Sequence, residues 1–189
     1  MRPGVIVDDG SDQALLARYR NGDRDAFAEI VVRYQRPIYN AAFWMLRNAE
    51  DARDIAQVVF MRVFERLDEY DSNYKFFSWI YRIAVNESIN LLRRNGREEE
   101  LDDETEIAGA DGLNPESQFS EAERSRHIHH ALMSMSTNDR TVLMLRHFSE
   151  CSYQEIAEIL DLDEKTVKSR LFEARHRLGG MLKDLRPLT

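Results

Sequence analysis

The chain has 189 residues, of which 43% are hydrophobic and 32% charged, so it can build one or two small cores and is neither collagen-like nor wholly disordered. Its single cysteine, Cys151, excludes an internal disulfide. Because the sequence has neither a basic start followed by an apolar run nor any apolar run of about 18 residues, we expect a cytoplasmic protein with no signal peptide and no insertion into a membrane.

The net charge of −8 argues against a nucleic-acid partner only if it is evenly spread, and it is not. Residues 97–125 hold eleven acidic side chains against Arg97 and Arg124, a net charge of −9 that leaves +1 for the rest of the chain. Residues 74–97 and 164–186 each carry a local charge of +4. Two basic segments therefore remain available to bind a polyanion.

Two helices are predicted near the N-terminus. Ser11 is the expected cap of the first, and Asn21-Gly22-Asp23 ends it and caps the second. Pro37 is expected to kink or break the second helix. The apolar residues at helical spacing are Leu15, Leu16, Tyr19, Phe27, Ile30, Val31 and Tyr34.

Two longer helices follow. Glu50, Asp51 and Asp54 favour the N-terminus of the first, which the Asp71-Ser72-Asn73 cluster is expected to end. Its apolar residues are Ile55, Val58, Val59, Met61, Val63 and Leu67. The second runs from Phe76 to about Arg94. Since no segment alternates with a period of two, we expect an all-α fold without a sheet.

The acidic stretch lacks hydrophobic periodicity and contains Gly109, Gly112 and Asn114-Pro115, which predicts a linker between two domains. Beyond it, residues 121–134 and 137–148 are predicted helices, the second capped by Ser136 or Thr137.

A helix-turn-helix is predicted next. Ser152 and Glu155 have capping-box spacing at the start of the first helix. The turn is Asp161-Leu162-Asp163, in which Asp161 takes the place of the frequent Gly. In the basic second helix the residues expected to face inward are Val167, Leu171, Ala174 and Leu178. In such motifs the second helix enters the major groove.

Three segments in this order carry a resemblance to a known family: DARDIAQVVFMRVFERLDEYD (51–71), FFSWIYRIAVNESINLLRR (76–94) and SYQEIAEILDLDEKTVKSRLFEARHRL (152–178). They resemble the extracytoplasmic-function sigma factors, the RpoE-like group IV of the sigma-70 family. The resemblance implies two small helical domains: sigma domain two over residues 11–96 and sigma domain four over 121–189. It also implies an acidic linker over 97–120 and a disordered tail over 1–10.

By this resemblance, the helix that begins near Glu50 binds the β′ clamp helices of bacterial core RNA polymerase, and domain four meets the β flap. The implied polymerase-binding residues are Asp51, Asp54, Gln57 and Phe60. Val58 stands where many relatives have Glu, and Arg53 where many have an acid, so the contact is expected to depend more on apolar packing. The alternative interpretation is an ordinary solvated helix face.

The segment from Tyr70 to Arg94 combines aromatic and basic side chains. A protein that opens a duplex needs a flat apolar side chain to stack on the unstacked base and cations to hold the DNA backbone. The resemblance places a flipped base of the minus-ten non-template strand at loop 70–75 with Asn86. The candidate residues are Tyr70, Ser72, Asn73, Lys75, Trp79, Arg82, Asn86, Arg93 and Arg94. Trp79 has a second interpretation as a core residue, which its helical spacing favours.

The basic helix is expected to bind the minus-thirty-five element, since Arg and Lys bind guanine edges and Phe packs on a thymine methyl. The candidate residues are Lys165, Thr166, Lys168, Ser169, Arg170, Phe172 and Arg175. Glu173 stands where relatives often have a basic residue. It either accepts from a cytosine amino group or repels phosphate.

Catalytic interpretations are weak. His127, His129 and His130 lack zinc-site spacing, and His147 with Cys151 forms only a pair. The sequence has no Gly-rich phosphate-binding motif and no nucleophile elbow.

We therefore predict a protein that is not an enzyme and has no metal or other cofactor. Its expected partners are core polymerase, promoter DNA and an anti-sigma factor. The alternative is a free-standing helix-turn-helix regulator, in which residues 1–95 are a sensor or dimerisation domain.

Overall fold

The computed structural model describes residues 9–94, 96 and 127–183, and no strand occurs within these ranges. The predicted linker and residues 1–8 lie outside them. The helices are α1 (Asp9–Arg20), α2 (Arg24–Leu46), α3 (Ala49–Arg66), α4 (Phe76–Arg94), α5 (described over 127–133), α6 (Thr137–His147), α7 (Tyr153–Leu160) and α8 (Glu164–Lys183), with a 3-10 turn at Leu67–Glu69. We call α1–α4 the N-terminal lobe and α5–α8 the C-terminal lobe.

Short polar side chains cap the helices of the N-terminal lobe. Asp23 caps α2, as predicted, and accepts a hydrogen bond from the Asp25 amide, while Gly22 before it has a φ of 95°. Asn48 caps α3 and accepts from the amides of Glu50 and Asp51. This second cap was not predicted, and the acidic residues Glu50 and Asp51 that follow it were the expected signal.

Two predicted helix boundaries are wrong. Helix α1 already contains Asp9 and Gly10, so Ser11 lies inside the helix and does not cap it. Helix α3 ends at Arg66, and the 3-10 turn separates it from the expected Asp71 boundary.

Helix α2 continues through Pro37, which neither breaks nor ends it. The wholly buried Tyr34 and Ile38 lie on either side of this proline. Their packing offsets the hydrogen bond that a proline removes from a helix.

The core of the N-terminal lobe forms around α2, which contacts α1, α3 and α4. The buried residues of α2 are Ala26, Ile30, Tyr34, Ile38, Ala41, Ala42, Met45 and Leu46. Asp12 of α1 is also fully buried and accepts hydrogen bonds from the Tyr34 hydroxyl and the Arg33 guanidinium. Burial and the Asp12 hydrogen bond raise the pKa of Tyr34, so its hydroxyl remains a donor.

The C-terminal lobe contains the predicted helix-turn-helix. Ser152 Oγ accepts from the Glu155 amide at 3.1 Å, and Glu155 Oε2 accepts from the Ser152 amide at 2.8 Å, which confirms the capping box. Asp161 ends α7 in the left-handed conformation, with a φ of 56°. Val167, Leu171 and Ala174 of α8 are buried as predicted, and Leu178 is partly buried. Ser136 caps α6.

The two lobes pack against each other, with α4 on α7 and α2 on α6. One cluster of buried apolar side chains includes Tyr81 of the N-terminal lobe together with Met144 and Ile156 of the C-terminal lobe. The rings of Trp44 and Phe148 stack across the junction with centroids 3.7 Å apart. The sequence analysis did not predict this packing, because it treated the lobes as separately tethered units.

Candidate polymerase and nucleic-acid interfaces

The outer face of α3 presents part of the predicted polymerase-binding set. Asp54 and Gln57 are exposed, Asp51 is half-buried, and Phe60 is half-buried against the core cluster. Arg53 and Val58 are the two positions of this helix where the sequence differs from many relatives. Arg53 is exposed and Val58 is half-buried.

This face also carries an apolar extension that the sequence analysis missed. Met61, assigned to the apolar run, is 61% exposed, and Phe64 is 57% exposed. The Phe64 ring lies edge-on to Phe27 and Tyr19, with centroids 5.5 and 6.4 Å away. Because both residues follow Gln57 at helical spacing (57, 61, 64), periodicity alone could have placed them beside it.

Tyr70 supports the loop before α4 rather than standing open at its surface. It is only 5% exposed; its hydroxyl accepts from Gln13 Nε2 at 3.0 Å and donates to the Tyr74 carbonyl at 2.6 Å. The Asp71 carboxylate accepts from the Asn73 amide, which shapes the turn. Of the loop residues predicted to contact a base, Ser72, Asn73 and Lys75 are exposed.

The remaining minus-ten candidates line one stripe of α4 and of the residue before it. Residues 75, 79, 82, 86 and 93 recur at helical spacing, and Asn86 and Arg93 are exposed, as is the adjacent Arg94. Trp79 is half-buried against the core cluster, with its ring 5.4 Å from Tyr70 and 5.8 Å from Phe76 between centroids. This packing agrees with the core interpretation, and base stacking by Trp79 stays a prediction.

Two of these basic residues contact α7 of the C-terminal lobe. Lys75 Nζ lies 3.0 Å from Glu155 Oε1. Arg82 donates from Nε to the main-chain carbonyl of Glu158 at 3.0 Å and lies 3.6 Å from the Asp161 carboxylate. Burial of the Glu155 carboxyl opposes its ionisation, but hydrogen bonds from Ser152 and Lys75 hold its pKa below the ordinary value.

The outer face of α8 presents the minus-thirty-five set. Lys165, Lys168, Ser169, Phe172 and Arg175 are exposed, while Thr166 and Arg170 are half-buried. Phe172 is 73% exposed. Asp163 starts the helix and accepts from the Thr166 amide at 2.7 Å and the Thr166 hydroxyl at 2.6 Å.

Local contacts hold several side chains on this face in place. Lys168 pairs with Glu164 at 2.5 Å, and Arg175 donates to His147 Nε2 at 3.2 Å. Burial, followed by Arg175 and Arg146, holds the pKa of His147 below its ordinary value, so the ring stays a neutral acceptor. The departure residue Glu173 lies 3.6 Å from Arg177 on the same helix.

Within the described residues, no group of three or more His, Cys, Asp or Glu side chains is placed to hold a metal ion. Cys151 is buried, and that burial raises the pKa of its thiol. Of the helices described, none combines the length and the apolar character that crossing a bilayer requires.

Comparison with family models identifies both lobes. Residues 30–98 match sigma-70 region 2, and residues 125–178 match sigma-70 region 4. These ranges contain the α3 and α4 faces and the helix-turn-helix described above.

Relatives match over nearly their whole length. The chain is 37% identical over 181 residues to the ECF RNA polymerase sigma factor SigW of Bacillus subtilis, with 90% of this chain and 96% of the relative covered. It is 32% identical over 184 residues to the ECF RNA polymerase sigma-E factor of Escherichia coli K12, with 93% and 96% covered. These matches support the sigma-factor interpretation and not the free-standing regulator.

Two solved structures share the fold. CnrH in complex with the cytosolic domain of CnrY matches with a TM-score of 0.70 at 25% identity, over 92% of this chain and 98% of CnrH. RpoE of Bartonella quintana in complex with the anti-sigma factor NepR matches with a TM-score of 0.66 at 24% identity, over 85% and 98%. With both sigma-70 regions present in order and full-length relatives above 30% identity, the chain belongs to the extracytoplasmic-function sigma factors of the sigma-70 family.

Proposed function

We propose that this sigma factor acts through three surfaces, one that binds core RNA polymerase and two that bind promoter DNA. The outer face of α3 binds the clamp helices of core RNA polymerase. Loop 71–75 and the exposed stripe of α4 bind the opened minus-ten strand, and α8 binds the minus-thirty-five duplex. The polymerase catalyses RNA synthesis, and the sigma factor acts in the cytoplasm, where the polymerase and the DNA are.

The single observation that carries this proposal is the composition of the exposed face of α8. Val167 and Leu171 are buried, whereas Lys168 and Phe172, each the next residue along the helix, are exposed. A cation and an exposed aromatic ring on one face match the guanine edge and thymine methyl that the major groove offers. The first helix of the motif, α7, packs behind α8 and sets its orientation.

The α3 face supports the polymerase contact in the same way. Asp54 and Gln57 provide polar groups next to the exposed Met61 and Phe64, so an apolar centre lies beside a polar margin. We include Met61 and Phe64 in the proposed contact for this reason. This agrees with the expectation that apolar packing contributes more here than in relatives with additional acidic residues.

Reconstitution with core polymerase tests the function. The purified chain should direct run-off transcription by core enzyme from a subset of genomic fragments, and in gel shifts it should bind those fragments well only when core enzyme is present. The variant Met61→Glu/Phe64→Glu should lose core binding, while Val32→Glu, a change at a 69% exposed position of α2, should retain it. Strong, specific binding of a fragment by the chain alone would instead favour the free-standing regulator.

A protein partner that restrains the chain is also proposed. The support is that CnrH, 25% identical to this chain, has been solved with the cytosolic domain of a second protein, CnrY. The test is to identify a protein that copurifies with the tagged chain and to add it to the reconstituted reaction. Inhibition of run-off transcription by the purified partner identifies an anti-sigma factor, and unchanged transcription rejects that candidate.

A further inference from the structure

The most extensive polar contact between the lobes joins the proposed strand-binding stripe of α4 to α7. Lys75 pairs with Glu155, the Ser78 hydroxyl donates to Glu158 Oε2 at 2.6 Å, and Arg82 donates to the Glu158 carbonyl. Asp161, just past the end of α7, lies 3.6 Å from Arg82. Three positions of the C-terminal lobe, spaced three residues apart, thus meet one face of the N-terminal lobe.

The described polar groups of α7 and Asp161 that contact this face are all oxygen acceptors. Three are carboxylates, from Glu155, Glu158 and Asp161, and the fourth is the main-chain carbonyl of Glu158. That carbonyl belongs to the last turn of α7, where carbonyls lack partners within the helix and carry its negative dipole end. A DNA backbone would present the same chemistry, negative oxygens, to the same donors.

Apolar packing beneath these polar contacts keeps the surfaces together. Phe77 and Tyr81 of α4 are 6% and 2% exposed, and their rings lie 4.3 Å apart between centroids. The cluster that contains them includes Ile156 and Ile159 of α7. Exposed ion pairs contribute little singly, so the apolar contact supplies most of the attraction and the charges determine which faces meet.

We infer that α7 is an internal substitute for the DNA strand: its acidic edge occupies the Lys75–Arg82 part of the strand-binding stripe and keeps the free chain closed. This deepens the proposed function and rests on it. Asn86 and Arg93, farther along α4, remain exposed in the closed chain. A strand therefore finds half of its site open and half occupied by α7.

The closed state lowers the affinity of the free chain for single-stranded DNA. When only one molecule in ten has the site open, apparent affinity falls about tenfold, and any change that opens the lobes restores it. The experiment uses the full chain without polymerase, and its probe is a fluorescein-labelled 12-nucleotide single strand of random sequence. Binding is measured by fluorescence anisotropy at low salt.

Glu158→Lys removes the carboxylate that accepts from Ser78 and places a cation there, and it should raise affinity at least fivefold. Glu150→Lys is the matched control, because it makes the same charge change at an exposed position between α6 and α7 that has no described contact to α4. It should raise affinity less than twofold. Asp161→Asn adds no cation and suits the left-handed backbone, so it should give a smaller gain than Glu158→Lys but exceed Glu150→Gln.

Equal affinities for Glu158→Lys and Glu150→Lys overturn the inference, as does an absence of binding by every chain. If Glu158→Lys unfolds, which a thermal melt detects, the comparison of Asp161→Asn with Glu150→Gln decides. The proposed function has its own readout, run-off transcription with core polymerase. If the chain supports transcription but the variants do not raise its affinity for single-stranded DNA, only the inference about α7 is refuted. If the chain does not support transcription, the proposed function is refuted.

Discussion

Arg47 donates from Nε to Nε2 of His129, 2.9 Å away, and thereby ties the end of α2 to α5 of the other lobe. The Arg47 guanidinium also lies over the rings of Phe43 and Trp44, 4.7 and 5.0 Å from their centroids. Burial lowers the pKa of Arg47 to about 10, a value at which it is still a cation near neutral pH. Since His129 must accept this bond, its ring must be neutral.

This contact predicts a pH dependence of stability. Burial, followed by Arg47, His130 and Arg140, lowers the pKa of His129 from 6.5 to about 4. Between those values the unfolded chain binds a proton that the folded chain excludes, so stability is complete above pH 6.5 and decreases as pH falls toward 4. Because the ring is only half-buried, we expect a loss of about 1 kcal/mol, or roughly 2–4 °C in Tm.

The measurement is the Tm between pH 7.5 and 4.5 for the unmodified chain and for His129→Gln. Glutamine retains an acceptor for Arg47 but does not titrate, so its Tm should fall less steeply with acid. Parallel curves for the two chains would contradict the assignment of this proton to His129.

Asp12→Ala should strongly destabilise the N-terminal lobe. It removes the fully buried carboxylate that accepts from Tyr34 and Arg33, and leaves the donors without their partner. We expect a decrease in the free energy of unfolding of about 3 kcal/mol, measured by urea denaturation. Asp68→Ala, at an exposed position, is the control and should change it by less than about 0.5 kcal/mol.

Tyr70→Phe should loosen the loop before α4 without emptying the core. The ring stays packed on Phe76, but the hydroxyl that joins Gln13 to the Tyr74 carbonyl is lost. The expected cost is about 1 kcal/mol in urea denaturation, with faster hydrogen exchange across residues 71–75. Tyr74→Phe changes a 56% exposed ring, and a cost as large as that of Tyr70→Phe would argue against a role for the Tyr70 hydroxyl.

The two DNA-binding lobes should fail in different ways. Lys168→Ala should weaken recruitment to a duplex promoter, by about 1–3 kcal/mol if it contacts a base, and pre-melted DNA should not rescue it. Asn86→Ala should leave recruitment intact and reduce strand opening, since its proposed partner exists only once a base has left the stack. Permanganate reactivity of minus-ten thymines beside a recruitment assay separates these steps. Normal opening by Asn86→Ala would reject the flipped-base site.

Local signals made several of the helix caps predictable. Asp23, Ser136 and the Ser152–Glu155 box each act within four residues of their partner, so spacing in the sequence was enough to identify them. The predicted break at Pro37 does not occur, because the local effect of the proline is outweighed by the burial of Tyr34 and Ile38. That burial depends on helices elsewhere in the chain.

Most candidate site residues lie on helices that the sequence predicted, but their contacts across the lobes were not predicted. Lys75 and Arg82 find partners about 80 residues away, and nothing in the local pattern around Glu155 or Glu158 distinguishes a contact between lobes from a solvated helix face. The same limit applied to Tyr70, whose burial depends on Gln13, 57 residues earlier.

The apolar cluster shared by the lobes stays incomplete for part of the time that the chain is being synthesised. Helix α4 leaves the ribosome before α7 has been made, and 58 residues separate Arg94 from Tyr153. At about 5–20 residues per second, the faces of Phe77 and Tyr81 that later contact α7 wait roughly 3–12 s for their cover. A nascent or prematurely terminated chain therefore presents an uncovered aromatic surface that chaperones and proteases recognise, while the finished chain conceals it.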